Sequence, residues 1–189
     1  LPNKLKRFIE EVEFGQNEKV IGGFESIPWQ DDGKFGLEAW SDLGFAEAWY
    51  SSQRQSDIGR SSLTFFLGGK QSRAVNNDAL LVGSTFVNRL QPFVPSIKQA
   101  ANKQYFATHW GRAPRLDGAY SNFKPGQLTE FEDYFWVESD SAAERQEVAV
   151  GGLVFAGEQF SDAYYGFMNG GAQTGRLAAE RILRKLVKG

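Results

Sequence analysis

The feature that most constrains the fold is the stretch of residues 153–183, where an apolar run, a loop and a helical pattern follow one another. The apolar run, residues 153–156, comes directly after two glycines and predicts a short buried strand. Gly157 and Glu158 end this strand, and a loop of small and aromatic residues follows. From about Gly166, apolar and small residues recur every three or four positions, which predicts a helix.

Four glycines crowd the predicted start of this helix: Gly166, Gly170, Gly171 and Gly175. Because glycine destabilises a helix by about 1 kcal/mol relative to alanine, their presence needs a physical reason. One reason is that a bulky group comes within backbone contact of the helix start, where free N–H groups and the helix dipole favour an anion. The other is close packing of the helix on a sheet. The residues alone leave both explanations open.

This segment resembles the C-terminal flavin-binding signature of the FAD-dependent amine oxidases, the family of the monoamine, polyamine and L-amino-acid oxidases. In that family a strand ending F-A-G-E or F-A-G-T leads to an aromatic-Gly-aromatic turn and then to a helix beginning G-A-x-x-S/T-G-x-x-A-A. Residues 155–158 (FAGE), 165–167 (YGF) and 171–179 (GAQTGRLAA) match the three parts in order. The resemblance implies that the following residues contact the cofactor, with Glu158 near its ribityl and phosphate groups: Gly157, Glu158, Gly166, Phe167, Met168 and Gly170.

A second part of the resemblance lies near the N-terminal end of the sequence. Phe14-Gly15 followed by Lys19 fits the family spacing hydrophobic-Gly-x-x-x-Lys, and Pro28-Trp29 ends the strand predicted over residues 19–25. In the family this lysine holds a water against the reactive N5 edge of the flavin, so the resemblance implies a catalytic role for Lys19. By residue type alone, a lysine at the start of a strand is usually just solvated.

A third part of the resemblance begins in residues 104–110, which alternate as a strand ending at Trp110. Trp110 lies nine residues before Ala119, as in the family, and the resemblance places both residues at the cofactor. Some monoamine oxidases attach the flavin through a cysteine at the position of Ala119. A methyl group cannot form a thioether, so FAD is expected to be bound non-covalently. The neighbouring His109 is expected on the opposite face of the strand, in a structural role.

The resemblance implies that Tyr120 and Phe167 are the two aromatic walls that align the substrate at the flavin. Family members often carry tyrosine or tryptophan at the position of Phe167, so this wall lacks a polar group. The alternative, from residue type alone, is that both are ordinary core aromatics.

The remaining sequence predicts further helices and strands. A helix is predicted over residues 1–15, and strands over residues 45–50 and 62–67 are predicted to form a hairpin. Residues 30–44 are predicted to be a loop. Another helix is predicted after an N-cap at Asn76 or Asn77, with an apolar stripe that begins at Leu80 and Leu81 and ends at Leu90. Residues 128–137 are predicted to be partly helical, and residues 138–146 a solvated loop.

These elements predict an α+β fold: a mixed β-sheet substrate-binding domain with flanking helices, followed by the C-terminal strand and helix of a Rossmann-like FAD domain. We assign residues 1–150 to the second half of the substrate-binding domain and residues 151–189 to the FAD domain. The G-x-G-x-x-G strand–turn–helix that holds the ADP half of FAD is absent from the sequence. Because Leu1 is not a natural initiator, we expect a fragment whose missing N-terminal segment binds the dinucleotide.

Composition excludes several functional classes. The formal net charge is −2, so no global basic field indicates nucleic acid or an anionic membrane as a partner. The chain has no cysteine and one histidine, so no metal site is expected. No apolar run approaches the roughly 20 residues that span a bilayer, and no signal-like start is present. The sequence identifies no compartment, and we take the cytoplasm as the expected one; a homodimer is left open.

The resemblance implies oxidation of an amine or L-amino acid to an imine by hydride transfer to FAD, with reoxidation by O₂ giving hydrogen peroxide. The chain by itself is expected to be inactive. Two alternatives stay open: a related flavoprotein that desaturates carotenoids or oxidises porphyrinogens, and a catalytically silent fragment or interaction module that lacks FAD on its own. The sequence does not identify the amine.

Overall fold

The computed structural model describes residues 1–31, 37–76 and 78–187, which form two compact units. The first unit consists of Leu1–Gly15 and Tyr120–Gly189, and the second of Gln16–Ala119. The chain passes between the two units after Gly15 and after Ala119, whereas the predicted domain boundary lies after residue 150. The assignment of residues 1–150 and 151–189 to substrate-binding and cofactor-binding domains stays a prediction.

Short helices and strands follow one another along the described residues. The α-helices are α1 (Asn3–Glu11), α2 (Pro28–Asp31), α3 (Ala79–Leu90), α4 (Ile97–Ala100), α5 (Gln127–Glu130) and α6 (Met168–Val187). The strands are β1 (Glu13–Phe14), β2 (Asn17–Phe24), β3 (Glu38–Trp40), β4 (Glu47–Tyr50), β5 (Ser61–Gly68), β6 (Ala101–Ala107), β7 (Ser121–Asn122), β8 (Ala149–Val150) and β9 (Leu153–Val154). Short 3₁₀ segments occur at Gln53–Ile58, Gly69–Asn76, Trp110–Arg112, Glu132–Tyr134 and Glu158–Phe160. Among the described residues, none of these helices is both long and apolar enough to cross a membrane.

The second unit is built on one sheet with the strand order β3-β4-β5-β2-β6, in which every neighbouring pair is antiparallel. Side chains of the inner strand β2 alternate between a half-buried and a buried face, because successive side chains of a strand point to opposite sides. On the buried face, Val20 and Phe24 join Phe86 and Leu90 of α3 in one hydrophobic cluster. Lys19 lies on the other face.

The first unit packs around Phe8 of α1. The Phe8 ring stacks on Phe160, with centroids 4.9 Å apart, and meets Phe131 edge-on at 5.4 Å. Leu177 and Ala178 of α6 belong to the same hydrophobic cluster. Because aromatic rings bury large apolar areas, this cluster joins the N-terminal helix to residues that follow it by more than a hundred positions.

Most predicted elements are present, and the α+β fold class is confirmed. The strands predicted over residues 19–25, 45–50 and 62–67 are β2, β4 and β5, and β4 pairs with β5 as the predicted antiparallel hairpin. The partly helical character predicted over residues 128–137 corresponds to α5 and the 3₁₀ segment that follows it. Strand β3 lies inside residues 30–44, which the sequence predicts to be a loop; residues 32–36 lie outside the described residues.

Helix α3 begins later than predicted. Its N-cap is Asp78, whose carboxylate accepts hydrogen bonds from the N–H groups of Leu80 at 2.9 Å and Leu81 at 3.1 Å. The predicted cap Asn76 ends a 3₁₀ segment, and Asn77 lies outside the described residues. If the predicted apolar stripe marks core packing, it fails at Leu80 and Leu81, which belong to the capped first turn and are exposed, whereas Leu90 is buried.

Two predicted strands are shorter in the structure. Residues 153–156 contribute only β9, which pairs with the two-residue strand β8, and Leu153 is exposed because so short a hairpin buries neither face fully. The strand predicted over residues 104–110 ends at Ala107, and Trp110 begins a 3₁₀ turn. The predicted placement of His109 and Trp110 on opposite faces of a strand is therefore wrong.

Helix α6 starts at Met168, two residues later than predicted, because the φ angle of Gly166 is +80° and lies outside the helical region. In the predicted stripe, Thr174 and Ala178 are buried. Ile182 and Leu186, farther along the helix, are exposed, so the C-terminal turns of α6 are not part of the hydrophobic cluster.

We predict that Asp78→Ala lowers the free energy of unfolding by about 1 kcal/mol, because two N–H groups of the first turn of α3 lose their acceptor. Urea denaturation of the wild type and the variant measures the effect. Asp42→Ala removes an exposed carboxylate of the same unit outside any helix and serves as the control. Equal losses in both variants would contradict the assignment of Asp78 as the cap.

Candidate functional site

A single carboxylate connects two loops of the first unit. Oε1 of Glu158 accepts a hydrogen bond from the Ser121 N–H at 2.8 Å, and Oε2 accepts from the Ser121 hydroxyl at 2.6 Å. Oε2 also accepts from the Gly166 N–H at 2.5 Å. Hydrogen bonds to a carboxylate are short and stronger than those between neutral groups. Glu158 therefore ties β7 to the turn that precedes α6.

The two residues predicted as aromatic walls lie at this connection. Tyr120 directly precedes Ser121, and Phe167 directly follows Gly166. The side of Gly166 on which a Cβ would stand faces the Cβ of Tyr120 at 3.9 Å, so the two backbone segments are close. Tyr120 is 41% exposed and Phe167 is 68% exposed. The alternative that both are core aromatics is thus wrong for these two side chains within their own unit.

Partial burial raises the pKa of the Tyr120 phenol above the ordinary value for tyrosine. A neutral phenol can both donate and accept a hydrogen bond. Its backbone is fixed too, since the Gly15 N–H donates to the Tyr120 carbonyl at 2.5 Å. The pair of aromatic residues therefore has one polar group, on Tyr120.

The end of the FAGE motif is attached to α6 by a threonine side chain. The fully buried Thr174 hydroxyl lies 3.0 Å from both the N–H and the carbonyl oxygen of Gly157, accepting from the first and donating to the second. It also lies 2.8 Å from the Gly170 carbonyl oxygen. This contact gives the polar residue at the S/T position of the helix motif a structural role, because its hydroxyl accepts the hydrogen bond of the Gly157 N–H.

The glycines at the helix start have three different roles. Gly166 adopts a φ angle that side chains disfavour. A Cβ at Gly170 would collide with the Tyr164 carbonyl oxygen and stand 3.0 Å from the Ser161 side chain, so Gly170 serves close packing. A Cβ at Gly171 or Gly175 would meet nothing within 4 Å among the described residues. The chain's own packing thus accounts for Gly170 but not for Gly171 and Gly175.

Lys19 lies in the second unit, on the half-buried face of β2. Its ammonium nitrogen stands 5.9 Å from the ring centroid of Trp49, a distance at which a cation is attracted to an aromatic face. The Trp49 ring packs against Phe66, which is opposite Lys19 in the β2–β5 register. Lys19 therefore has a defined aromatic neighbour rather than the purely solvated position that its residue type predicts.

A buried carboxylate next to Lys19 organises its surroundings. Glu18 is only 5% exposed, and it accepts hydrogen bonds from the Thr108 hydroxyl at 2.5 Å and the Gly111 N–H at 3.2 Å. The Thr108 oxygen in turn accepts from the Lys19 N–H at 2.8 Å, and the Thr108 N–H donates to the Lys19 carbonyl at 2.9 Å. Thr108 therefore fixes the Lys19 backbone, and Glu18 holds the turn that contains Trp110.

The remaining predicted residues divide between the units. Trp110 is 42% exposed in its 3₁₀ turn, and the Ala119 carbonyl accepts a hydrogen bond from the Asn17 side chain at 2.7 Å, both within the second unit. Met168 is 93% exposed at the first position of α6. The structure thus brings Tyr120, Glu158 and the residues at the start of α6 together in one unit. Lys19, Trp110 and Ala119 belong to the other, and the meeting of the two groups stays a prediction.

The sequence pattern did not identify Ser121, Glu18 or Thr108 as functional. The alternation of β2 could have identified Glu18, because it places this residue on the buried face with Val20 and Phe24. A buried carboxylate requires hydrogen-bond partners. The donors themselves, Thr108 and Gly111, are about ninety residues away, so only the fold identifies them.

We predict that Thr108→Val lowers the free energy of unfolding by about 1–3 kcal/mol, because a buried carboxylate loses a donor and the Lys19 N–H loses its acceptor. Thr85→Val is the matched control, since the Thr85 hydroxyl only bonds back to the Leu81 carbonyl of its own helix. Chemical denaturation compares the two. A loss no larger for Thr108→Val than for Thr85→Val would contradict the role given to Thr108.

We predict opposite effects of alanine at two adjacent glycines. Gly171→Ala raises the free energy of unfolding by up to about 1 kcal/mol, because alanine favours the helix and meets no neighbour. Gly170→Ala lowers it by about 1–3 kcal/mol through collision with the Tyr164 carbonyl. Thermal and urea denaturation of both variants measure the difference. The same sign for both would disprove this division of roles.

The described architecture has counterparts among known proteins. The family model described as flavin containing amine oxidoreductase matches residues 1–183. Among curated proteins, the chain is 25% identical over 181 residues to polyamine oxidase 2 of Arabidopsis thaliana, a match that covers 95% of the chain. Among solved structures, cyclohexylamine oxidase from Brevibacterium oxydans IH-35A matches 98% of the chain with a TM-score of 0.76 and 22% identity. Wild-type putrescine oxidase bound to putrescine matches 97% with a TM-score of 0.72 and 21% identity.

The chain is much shorter than these relatives. It spans 34% of the length of the curated polyamine oxidase, and 39% and 38% of the two solved structures. At this level of identity the two solved structures show a shared fold.

Proposed function

This chain belongs to the family of flavin containing amine oxidoreductases, and on that premise we propose that the protein oxidises an amine to an imine with non-covalently bound FAD. The proposed substrate is an alkyl amine, since the similar proteins are named for polyamine, putrescine and cyclohexylamine oxidation. An L-amino acid is the second substrate class to be tested. A dinucleotide-binding segment outside these 189 residues is proposed to hold the ADP half of the cofactor.

The observation that carries the proposal is that Tyr120 and Phe167 are both exposed, and that a Cβ at Gly171 or Gly175 of the following helix would meet no other described residue. Exposed apolar surface can mark a binding site, and Tyr120 and Phe167 contribute such surface from two backbone segments that lie close together. A Cβ placed at Gly171 or Gly175 would meet no other described residue within 4 Å, so the backbone at these two positions is accessible. An isoalloxazine ring is flat and apolar on its faces. An accessible backbone with aromatic side chains nearby is a suitable surface for such a ring to pack against.

The chain's residues take the following parts in the proposal. The backbone N–H groups from Phe167 to Gly170 would face the flavin or its pyrophosphate, where the helix dipole favours negative charge. Tyr120 and Phe167 would align the amine, with the neutral Tyr120 phenol as the polar group of the pair. Lys19 of the second unit would hold a water. When bound, FAD would accept the electrons from the amine carbon, and O₂ would reoxidise it to give hydrogen peroxide.

The absorption spectrum of the purified protein and a peroxide assay test the proposal. We expect a flavin band after FAD addition in the presence of the dinucleotide-binding segment, and peroxide release with a panel of alkyl amines. A flavin band without peroxide from any amine or amino acid favours a related flavoprotein with another substrate. A colourless protein under all these conditions would favour an interaction module and contradict the proposal.

We predict that Lys19→Met slows flavin reduction or reoxidation by on the order of 100-fold while FAD stays bound, because the water beside the cofactor loses its charged partner. Stopped-flow absorbance measures each half-reaction separately. Lys98→Met, in α4 of the same unit, is the control and is expected to leave both rates unchanged. Unchanged half-reactions in Lys19→Met would remove Lys19 from the mechanism.

A substitution at Gly171 tests the position of the cofactor by FAD binding, without measuring amine oxidation. If the flavin approaches the backbone at Gly171, then Gly171→Ala weakens FAD retention although it stabilises the helix. Equilibrium dialysis of FAD against wild type and variant measures retention. Undiminished retention would mean that the cofactor does not contact Gly171.

A further inference from the structure

Glu158 makes hydrogen bonds within the chain that give it a structural role. Its two carboxylate oxygens already accept three hydrogen bonds, all from groups of this chain: the Ser121 N–H, the Ser121 hydroxyl and the Gly166 N–H. A carboxylate with three donors directed at it is firmly oriented. The chain's own backbone is thus the main partner of Glu158.

Each residue that supplies these donors is adjacent in sequence to one of the two aromatic residues, Tyr120 or Phe167. Ser121 follows Tyr120, whose carbonyl is held by the Gly15 N–H on the other side. Gly166 precedes Phe167, whose own N–H donates to the Tyr164 carbonyl at 3.1 Å. The two walls therefore sit on separate backbone segments, and the Glu158 carboxylate bridges them.

We propose that Glu158 is a positioning residue that sets the spacing of Tyr120 and Phe167, and thereby the fit of the amine; this inference rests on the proposed function. Positioning depends on both oxygens being acceptors, because both segments present N–H groups to them. A displacement of about 1 Å at a reacting centre can lower a rate by about 100-fold, so the spacing of the walls affects turnover strongly.

The substitution that isolates this role is Glu158→Gln, which keeps the side-chain length but replaces one acceptor oxygen with an NH₂ donor. Whichever way the amide turns, either the Ser121 N–H or the Gly166 N–H faces another donor and loses its acceptor. Ser121→Ala removes the hydroxyl contact and leaves both backbone contacts. Glu138→Gln is the matched control, since the Glu138 carboxylate bonds to Arg176 and Gln173 on the surface of the same unit.

The first readout requires neither cofactor nor turnover. Amide hydrogen exchange, followed by NMR on the ¹⁵N-labelled protein, reports the protection of the Ser121 and Gly166 N–H groups. We expect Glu158→Gln to speed exchange at one or both of these amides at least 10-fold, and Ser121→Ala and Glu138→Gln to leave the Gly166 amide within about 3-fold of wild type. Unchanged exchange at both amides in Glu158→Gln would overturn the proposal.

The second readout separates positioning from cofactor binding in the flavin-loaded protein. We expect Glu158→Gln to retain FAD as the wild type does and to lower kcat/KM for the amine about 10-fold or more, with Ser121→Ala showing a smaller loss. Loss of FAD with normal amide protection would make Glu158 a cofactor ligand and refute the positioning role. Faster amide exchange in Glu158→Gln, with no amine oxidation by the wild type, would refute the proposed function and leave the bridge itself established.

Discussion

In each of the two units, the candidate residues depend on a carboxylate that accepts hydrogen bonds from the backbone. Glu158 in the first unit and Glu18 in the second each accept from backbone N–H groups and from a neighbouring hydroxyl. A half-buried or buried carboxylate requires such donors, because leaving it unpaired costs several kcal/mol. The same requirement fixes the loops that supply the donors. In both units the fixed loop carries residues of the predicted site, Tyr120 and Phe167 in one and Trp110 in the other.

Rigid cores hold these loops in place. In the first unit, the aromatic cluster around Phe8 and Phe160 fixes the 3₁₀ segment that contains Glu158, and Thr174 attaches Gly157 to α6. In the second unit, the antiparallel sheet positions Lys19, whose backbone is bonded to Thr108. Large exposed side chains such as Phe167 are unfavourable for the isolated chain, and a flavin or a substrate covering them removes that cost. The chain belongs to the flavin containing amine oxidoreductases, and the proposed function assigns the exposed Phe167 to substrate alignment.

The glycine-rich helix start shows that one sequence pattern can serve several physical requirements. Gly170 is needed because the Tyr164 carbonyl occupies the space of a side chain, and Gly166 because of its positive φ angle. Gly171 and Gly175 are needed for neither reason. Close packing, one of the two explanations that the sequence leaves open, therefore applies to Gly170. Close approach of a ligand to Gly171 and Gly175 is part of the proposed function.

The sequence by itself determined the elements whose signals are local. The hairpin of β4 and β5, the strand β2 and the helices α1, α3 and α6 follow from alternation and helical periodicity. The motif residues around Glu158 and Lys19 follow from the resemblance to the amine oxidase family. Only the tertiary structure decided the partners that are distant in sequence. Thr108, a donor to Glu18, and Ser121, a donor to Glu158, come from far along the chain, and α1 packs against residues beyond Tyr120. Hydrogen bonds and apolar contacts of this kind depend on which surfaces the fold brings together, and no local pattern encodes that choice.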